Sequence, residues 1–270
     1  YREIEPGVWL TFDGCHPERP IYAITLDAAR RTDWQFVLAS VQDNQAGFAR
    51  LAAGAGARYL YHVGNARQEV DTSLAPLVLD STGGVPGGVP VAQEFDTETI
   101  FAPQAAHTVR RITSLVNLLP GIEEENHGPL ADLLTTLPDF EFRSHGHNCP
   151  DGFLAPVAAI ADAMGRTSWA YHVKPSGDGF GHIIHNWASV GRPLIGRSSY
   201  YTGQRAAPLW IDGETCIDLD RRSVAEAAEL VRVWTGTDRH AQMCAAIREC
   251  FRSIYDPDAD EQRVREALGL

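Results

Sequence analysis

The feature that most restricts the fold is an alternation along the chain. Short apolar runs rich in branched and aromatic residues are separated by helical stretches. Asp33–Val41, Arg58–Val63 and Leu74–Leu79 read as strands, with Gln45–Ala55 a helix between the first two. Pro76 makes the third strand start late or lie at an edge. Ser81–Pro90 is dense in Gly and Pro and reads as a domain boundary. Beyond it, Arg111–Leu118, Asp139–Ser144, Ser168–Val173 and Pro193–Ile195 read as strands. His127–Thr136, Phe153–Met164 and Gly181–Val190 read as helices among them. Leu209–Asp212 and Thr215–Leu219 add two short strands, and Ser223–Trp234, Asp238–Ile254 and Asp258–Leu268 a helical tail. Strands separated by helices predict parallel sheets covered on both faces, with ligands at the carboxyl ends of the strands.

Composition excludes several classes. The chain has 270 residues, 44% of them hydrophobic, which is enough for one large core or two medium ones. No stretch approaches the ~20 apolar residues of a membrane-spanning helix. The net charge of -12 opposes broad binding to phosphate backbones. Cys15, Cys149, Cys216, Cys244 and Cys250 form no CxxC pair; their odd number suits a reducing compartment, so the expected location is the cytoplasm, or the host cytoplasm for a viral chain. The chain opens on Tyr1 rather than Met, so an upstream segment is expected to be missing.

The segment His172–Pro193 carries the chemistry. A strand enters a loop holding Gly177, Gly179 and Gly181, and a helix opens at its end. Such glycines permit positive φ and close backbone approach, and the helix start offers unpaired N–H groups to a phosphate. Lys174, the only lysine in the chain, stands just before the turn as a point charge. The spacing is not a dinucleotide fingerprint, because Gly177–Gly181 is G-x-G-x-G with no acidic residue suitably placed downstream. It is not a Walker loop, because the lysine precedes the glycines, and no G-x-S-x-G elbow occurs. His145, His147 and Cys149 alternate with Asp151 beyond, and His182 and His185 share a helix face. No second zinc-spaced cluster completes them, so the plainer reading is a polar loop, with no metal ligand assigned.

The same segment resembles the signature of retaining GT-B glycosyltransferases of the family-four type. Their pattern runs Pro-Ser, Glu-Gly-Phe-Gly, a second Glu eight residues after the first, then Ala-x-Gly-x-Pro. Here it reads Pro175-Ser176, Asp178-Gly179-Phe180-Gly181, Asn186, and Ala188 through Gly191 to Pro193. Three further stretches match in order: Val89–Pro103 as the interdomain segment, Leu209–Asp220 as the late strand pair, and Ser223–Ser253 as the helical tail.

The resemblance implies an α/β fold of GT-B type, with two Rossmann-like domains on parallel sheets and the first incomplete. It divides the chain into an acceptor-side domain over 1–85, a linker over 86–108, a nucleotide-sugar domain over 109–250, and a helix over 251–270 returning to the first domain. It implies a hexosyltransferase using a UDP- or GDP-sugar donor, with retention, without a metal or other cofactor, and with the leaving phosphate taking the acceptor's proton. Lys174 and the amides of Gly179, Phe180, Gly181 and His182 would face the diphosphate. Asp178 would lie at the donor sugar and Asn186 at the ribose. Gly146, in the loop Ser144–Asn148, would let the base approach. His62, ending its strand, would face the donor sugar or the acceptor, with Asn65 and Arg67 in the same loop. The family's Arg and Lys after the first strand of this domain have no counterpart in Asn117–Gly121, so Arg110, Arg111 or Arg205 would supply the charge. The default acceptor is a glycan or small hydroxyl compound. Two alternatives stand beside it: a viral enzyme glycosylating hydroxymethylated DNA bases, and a non-catalytic nucleotide-sugar-binding module.

Overall fold

A computed structural model describes residues 2–12, 20–40, 44–65, 68–75, 77–106, 108–175 and 177–270. Cys15, Arg67, Pro76 and Ser176, named above, lie outside them. The chain divides into two compact units, Tyr1–Val91 with Asp258–Leu270, and Ala92–Pro257.

The first unit opens with an antiparallel meander that the alternation gave no sign of: β1 (Arg2–Glu5), β2 (Val8–Phe12) and β3 (Pro20–Ile24). Helix α1 (Leu26–Arg31) follows, its first turn capped by the Thr25 hydroxyl. A four-stranded parallel sheet then forms from β4 (Phe36–Ala39), β5 (Arg58–Val63), β6 (Leu77–Asp80) and β7 (Val89–Pro90), in that order. Helix α2 (Gln45–Ala55) joins β4 to β5 and ends at Gly56, whose φ of 68° closes the helix in the left-handed conformation. Val37, Ala52, Tyr59, Tyr61 and Val78 form the core of this unit.

The second unit carries a five-stranded sheet in which every neighbouring pair is parallel. Its strands are β8 (Arg111–Ser114), β9 (Glu141–Ser144), β10 (Trp169–His172), β11 (Leu194–Gly196) and β12 (Cys216–Asp218). The order β9-β8-β10-β11-β12 reverses direction between β8 and β10, so a ligand crevice is expected at the carboxyl ends of those two strands. Side chains alternate across the sheet. Ala170 packs with α5 (Val157–Gly165), α6 (His182–Val190) and α8 (Asp238–Ile254), while Trp169 and Tyr171 pack with α4 (Leu130–Thr136) and α7 (Val224–Trp234). Both faces are covered, as a continuous apolar strand such as WAYH requires. Helix α9 (Pro257–Leu268) contributes to the first unit, where Arg263 donates to the Pro90 carbonyl at 3.3 Å.

The structure corrects several expected boundaries. The run after Arg111 leaves the sheet at Ser114, and α3 (Leu119–Glu125) begins where a strand end was read. Pro120 sits in its first turn, where a missing N–H costs nothing. Helix α4 starts at Leu130 rather than His127, its Leu130 N–H donating to the Glu123 carboxylate at 3.0 Å. Leu209–Asp212 is not a strand: Ala207–Leu209 is a 3₁₀ turn, and only Asp212 makes an isolated bridge, to Cys216. The Thr215 hydroxyl replaces a ladder there, donating to the Leu209 carbonyl and accepting from the Ile211 N–H, both at 2.8 Å.

Candidate functional site

The carboxyl end of β10 runs into the glycine loop and on to α6. Gly181 is the N-terminal cap of α6 with φ 72°, a conformation most side chains avoid, and among the described residues no side chain caps this helix. The first-turn dipole of α6 is therefore directed at the end of the sheet where the strand order reverses.

Three side chains meet in this loop. Asp178 is nearly buried, with a side chain only 10% exposed. Its Oδ2 lies 2.7 Å from His172 Nε2, and its Oδ1 pairs with the Lys174 ammonium. Burial alone would raise the Asp178 carboxyl. The hydrogen bond and charge of His172, then the charge and hydrogen bond of Lys174, outweigh it and hold the group at about 2. Asp178 is therefore a carboxylate at neutral pH, and the single lysine is tied to it. Nothing in the sequence singled out His172. Its one signal is a histidine on a strand two residues before the lysine, and only the folding of the loop brings it to Asp178. Its Nδ1 is buried and has no hydrogen-bond partner among the described residues.

The other named residues divide between lining the loop and packing beneath it. Phe180 is fully buried and stacks on His185, ring centroids 4.1 Å apart and 3° from parallel. Burial lowers the His185 imidazole to about 4, so it is neutral, and its Nδ1 lies 3.1 Å from the Gly181 carbonyl. Phe180 and His185 thus form the floor of the loop. His182 is exposed and meets the Phe180 ring edge-on at 5.3 Å. Asn186 is 6% exposed, and its Oδ1 has no hydrogen-bond partner among the described residues. A buried, unanswered amide oxygen costs free energy, which a bound donor would recover.

The loop after β9 lies beside the loop after β8. The His147 N–H donates to Asn117 Oδ1 at 3.0 Å, and the Leu118 N–H to the His147 carbonyl at 2.8 Å. A Cβ on Gly146 would come within 2.7 Å of Asn117 Oδ1 and 3.0 Å of Asn117 Cα, so this glycine serves the contact between the two loops. The alternating His145, His147 and Cys149 do not converge. His145 faces the Asp151 carbonyl, His147 stacks on Phe153, and the Cys149 thiol donates to the Val116 carbonyl. Among the described residues no group of three or more His, Cys, Asp or Glu is placed to hold a metal ion.

Two of the three arginines expected to supply missing charge fall elsewhere. Arg110 and Arg111 stand at the amino end of β8, paired with Asp139 and Glu141, at the opposite edge of the parallel sheet from the glycine loop. Arg205 donates to the Ile254 carbonyl at 3.3 Å, and its charge contributes to lowering the His185 imidazole beneath the glycine loop. Arg197, which the sequence reading passed over, follows β11 at the carboxyl edge and binds Asp220 at 3.0 Å. It lines a cavity of about 330 Å³ with Asn126, Val173, Tyr200 and Asp220. Glu123 accepts from the Tyr171 hydroxyl at 2.8 Å and ties α3 to β10.

His62 belongs to the first unit, at the carboxyl end of β5, and its Nε2 lies 2.8 Å from Ser81 Oγ. Burial lowers its imidazole, an effect the charge of Asp80 partly offsets. Gln68 clips the next loop, accepting from the Gly64 and Asn65 N–H groups.

No protein-family model matches the chain. No curated protein matches it in sequence. Solved structures do match in fold. Anabaena HepE in complex with UDP-glucose superposes with a TM-score of 0.67 at 14% identity, covering 90% of this chain and 80% of that one. TarM gives 0.67 at 9% identity, covering 96% and 63%. The pneumococcal O-GlcNAc transferase GtfA, in complex with UDP and GlcNAc, gives 0.67 at 11%, covering 94% and 62%. The α/β architecture with its two parallel sheets is thus the GT-B fold of glycosyltransferases.

Proposed function

We propose that this chain transfers a sugar from a nucleoside-diphosphate sugar to a hydroxyl acceptor. The carrying observation is the carboxyl edge of the second sheet, where the glycine loop opens into α6 and Lys174 pairs with Asp178; further along α6, Asn186 keeps a buried amide oxygen with no partner among the described residues. The helix start and Lys174 offer positive potential to a diphosphate, and the leaving phosphate is where charge builds during glycosyl transfer. Asn186 Oδ1 accepts from a ribose hydroxyl in this reading. Asp178 orients Lys174 and lies at the donor sugar in this reading, and the role proposed for His62 is a contact to a substrate oxygen. HepE and GtfA hold UDP in their complexes, which favours a UDP donor. Retention, with the leaving phosphate taking the acceptor's proton and no metal, follows from the family resemblance. The net charge of -12 favours a glycan or small hydroxyl acceptor over DNA.

A non-catalytic sugar-nucleotide-binding role is the second reading. It is motivated by Lys174 being tied to Asp178 and by Arg110 and Arg111 standing at the far edge of the sheet. Release of nucleoside diphosphate from UDP- and GDP-sugars, with and without hydroxyl acceptors, separates the two. Turnover supports the transferase; binding without release supports the binding role.

A further inference from the structure

His62 and Ser81 show which proton the imidazole carries. Strands β5 and β6 are parallel, with Val63 opposite Asp80, so Ser81 leaves β6 beside the end of β5. The Ser81 N–H donates to the Val63 carbonyl at 2.9 Å and fixes the backbone there. Ser81 is fully buried, and among the described residues its hydroxyl has one partner, His62 Nε2 at 2.8 Å. A buried hydroxyl proton with no acceptor is costly. The hydroxyl therefore donates to Nε2, and Nε2 carries the lone pair.

Asp80 does not take the ring in an acid–imidazole couple. One of its carboxylate oxygens accepts from the Thr82 N–H at 2.8 Å and the Thr82 hydroxyl at 2.7 Å, and the other from the Val85 N–H at 2.9 Å. The carboxylate is spent on shaping its own glycine-rich loop.

We infer that Ser81 is a positioning residue that locks His62 in the Nδ1–H tautomer, making His62 a hydrogen-bond donor to a substrate oxygen rather than a general base. The only basic nitrogen of the ring is capped by the hydroxyl, and Nδ1–H has no partner among the described residues. Burial favours the neutral ring, in keeping with this assignment. The ligand atom it suits is an oxygen lone pair on a sugar hydroxyl or phosphate. That functional role rests on the glycosyl-transfer reading, whereas the tautomer does not.

Nitrogen-15 NMR of the full chain near pH 7, with His62 assigned through His62→Gln, reads the tautomer directly. The expected pattern is a protonated, pyrrole-like Nδ1 and a bare, pyridine-like Nε2, lost in Ser81→Ala. A protonated Nε2 in the wild type overturns the inference, and so does an unchanged pattern in a folded Ser81→Ala. The wild-type spectrum decides the tautomer even if that variant does not fold. For the donor role, His62→Asn keeps an N–H near the position of Nδ1. It should hold turnover within about tenfold of wild type, while His62→Ala loses about 10²-fold or more. Equal losses in the two variants overturn the donor role. Absence of turnover in the wild type refutes the transferase reading and the donor role built on it, and leaves the tautomer to the NMR result.

Discussion

Replacing Asp178 by Asn tests whether the His172–Asp178–Lys174 cluster holds the glycine loop in place. The carboxyl lies at about 2 against an ordinary 3.8. At 1.36 kcal/mol for each tenfold change in proton affinity, the ionised form contributes about 2 kcal/mol to folding. The folded state gives up this proton more readily than the unfolded chain. The contribution is therefore complete above pH 3.8 and is lost as pH falls through about 2. Asp178→Asn imitates the protonated carboxyl while preserving its shape. Near pH 7 the variant should unfold about 2 kcal/mol more easily, which for a unit of this size lowers Tm by roughly 4–8 °C. The gap should close as the pH is brought below 3.8. Urea unfolding by circular dichroism at stepped pH measures both. A variant as stable as wild type at pH 7, or a gap that persists at low pH, refutes the cluster's role.

Three further outcomes follow from the geometry. Lys174→Ala should lower turnover by about 10²-fold or more if its charge stabilises the leaving phosphate, and unchanged turnover removes it from the site. Asn186→Ala should mainly raise KM for the donor, because a ribose contact is made before as well as during the reaction; a fall in kcat alone points to another role. Gly196→Ala should destabilise the second unit by about 2 kcal/mol or more, because the added Cβ would stand 2.2 Å from the His172 carbonyl oxygen and 2.9 Å from Trp210. Calorimetric unfolding that shows Gly196→Ala to be neutral contradicts that packing.

Where local chemistry decides the structure, the sequence was legible. Gly56 and Gly191 end α2 and α6 in the left-handed conformation, and the Ser223–Glu226 capping box starts α7 where the tail was read to begin. The runs RYLYHV and WAYH became buried parallel strands because every position has a covered side or an apolar neighbour. What escaped depends on contacts distant in sequence or on turns without a strong local signal. LWI looks like a strand, but a 3₁₀ turn containing Pro208 ends at its Leu209, and the Thr215 hydroxyl takes the Leu209 carbonyl and the Ile211 N–H in place of a ladder. The bond from Tyr171 to Glu123 joins residues 48 apart, which no local pattern shows. Arg110 and Arg111 looked usable until the direction of β8 placed them at its amino end. The glycine loop was found from its own residues, whereas His172 was not. Its meeting with Asp178 depends on a loop path that spacing alone does not specify. The meander of β1, β2 and β3 gave no sign because its first strand is exposed throughout, with no buried alternation to read.

The central claim is that the carboxyl edge of the second sheet holds a nucleoside-diphosphate sugar. Thermal unfolding of the full chain with UDP, GDP, ADP and TDP, and with their sugar conjugates, tests it most directly. A ligand at 100 times its Kd that binds only the folded state adds about 2.7 kcal/mol, a rise of roughly 5–10 °C for a unit of this size. The account predicts such a rise for one nucleotide family, reduced in Lys174→Ala and Asn186→Ala. No rise with any of these nucleotides, or a rise that both variants leave intact, would contradict it.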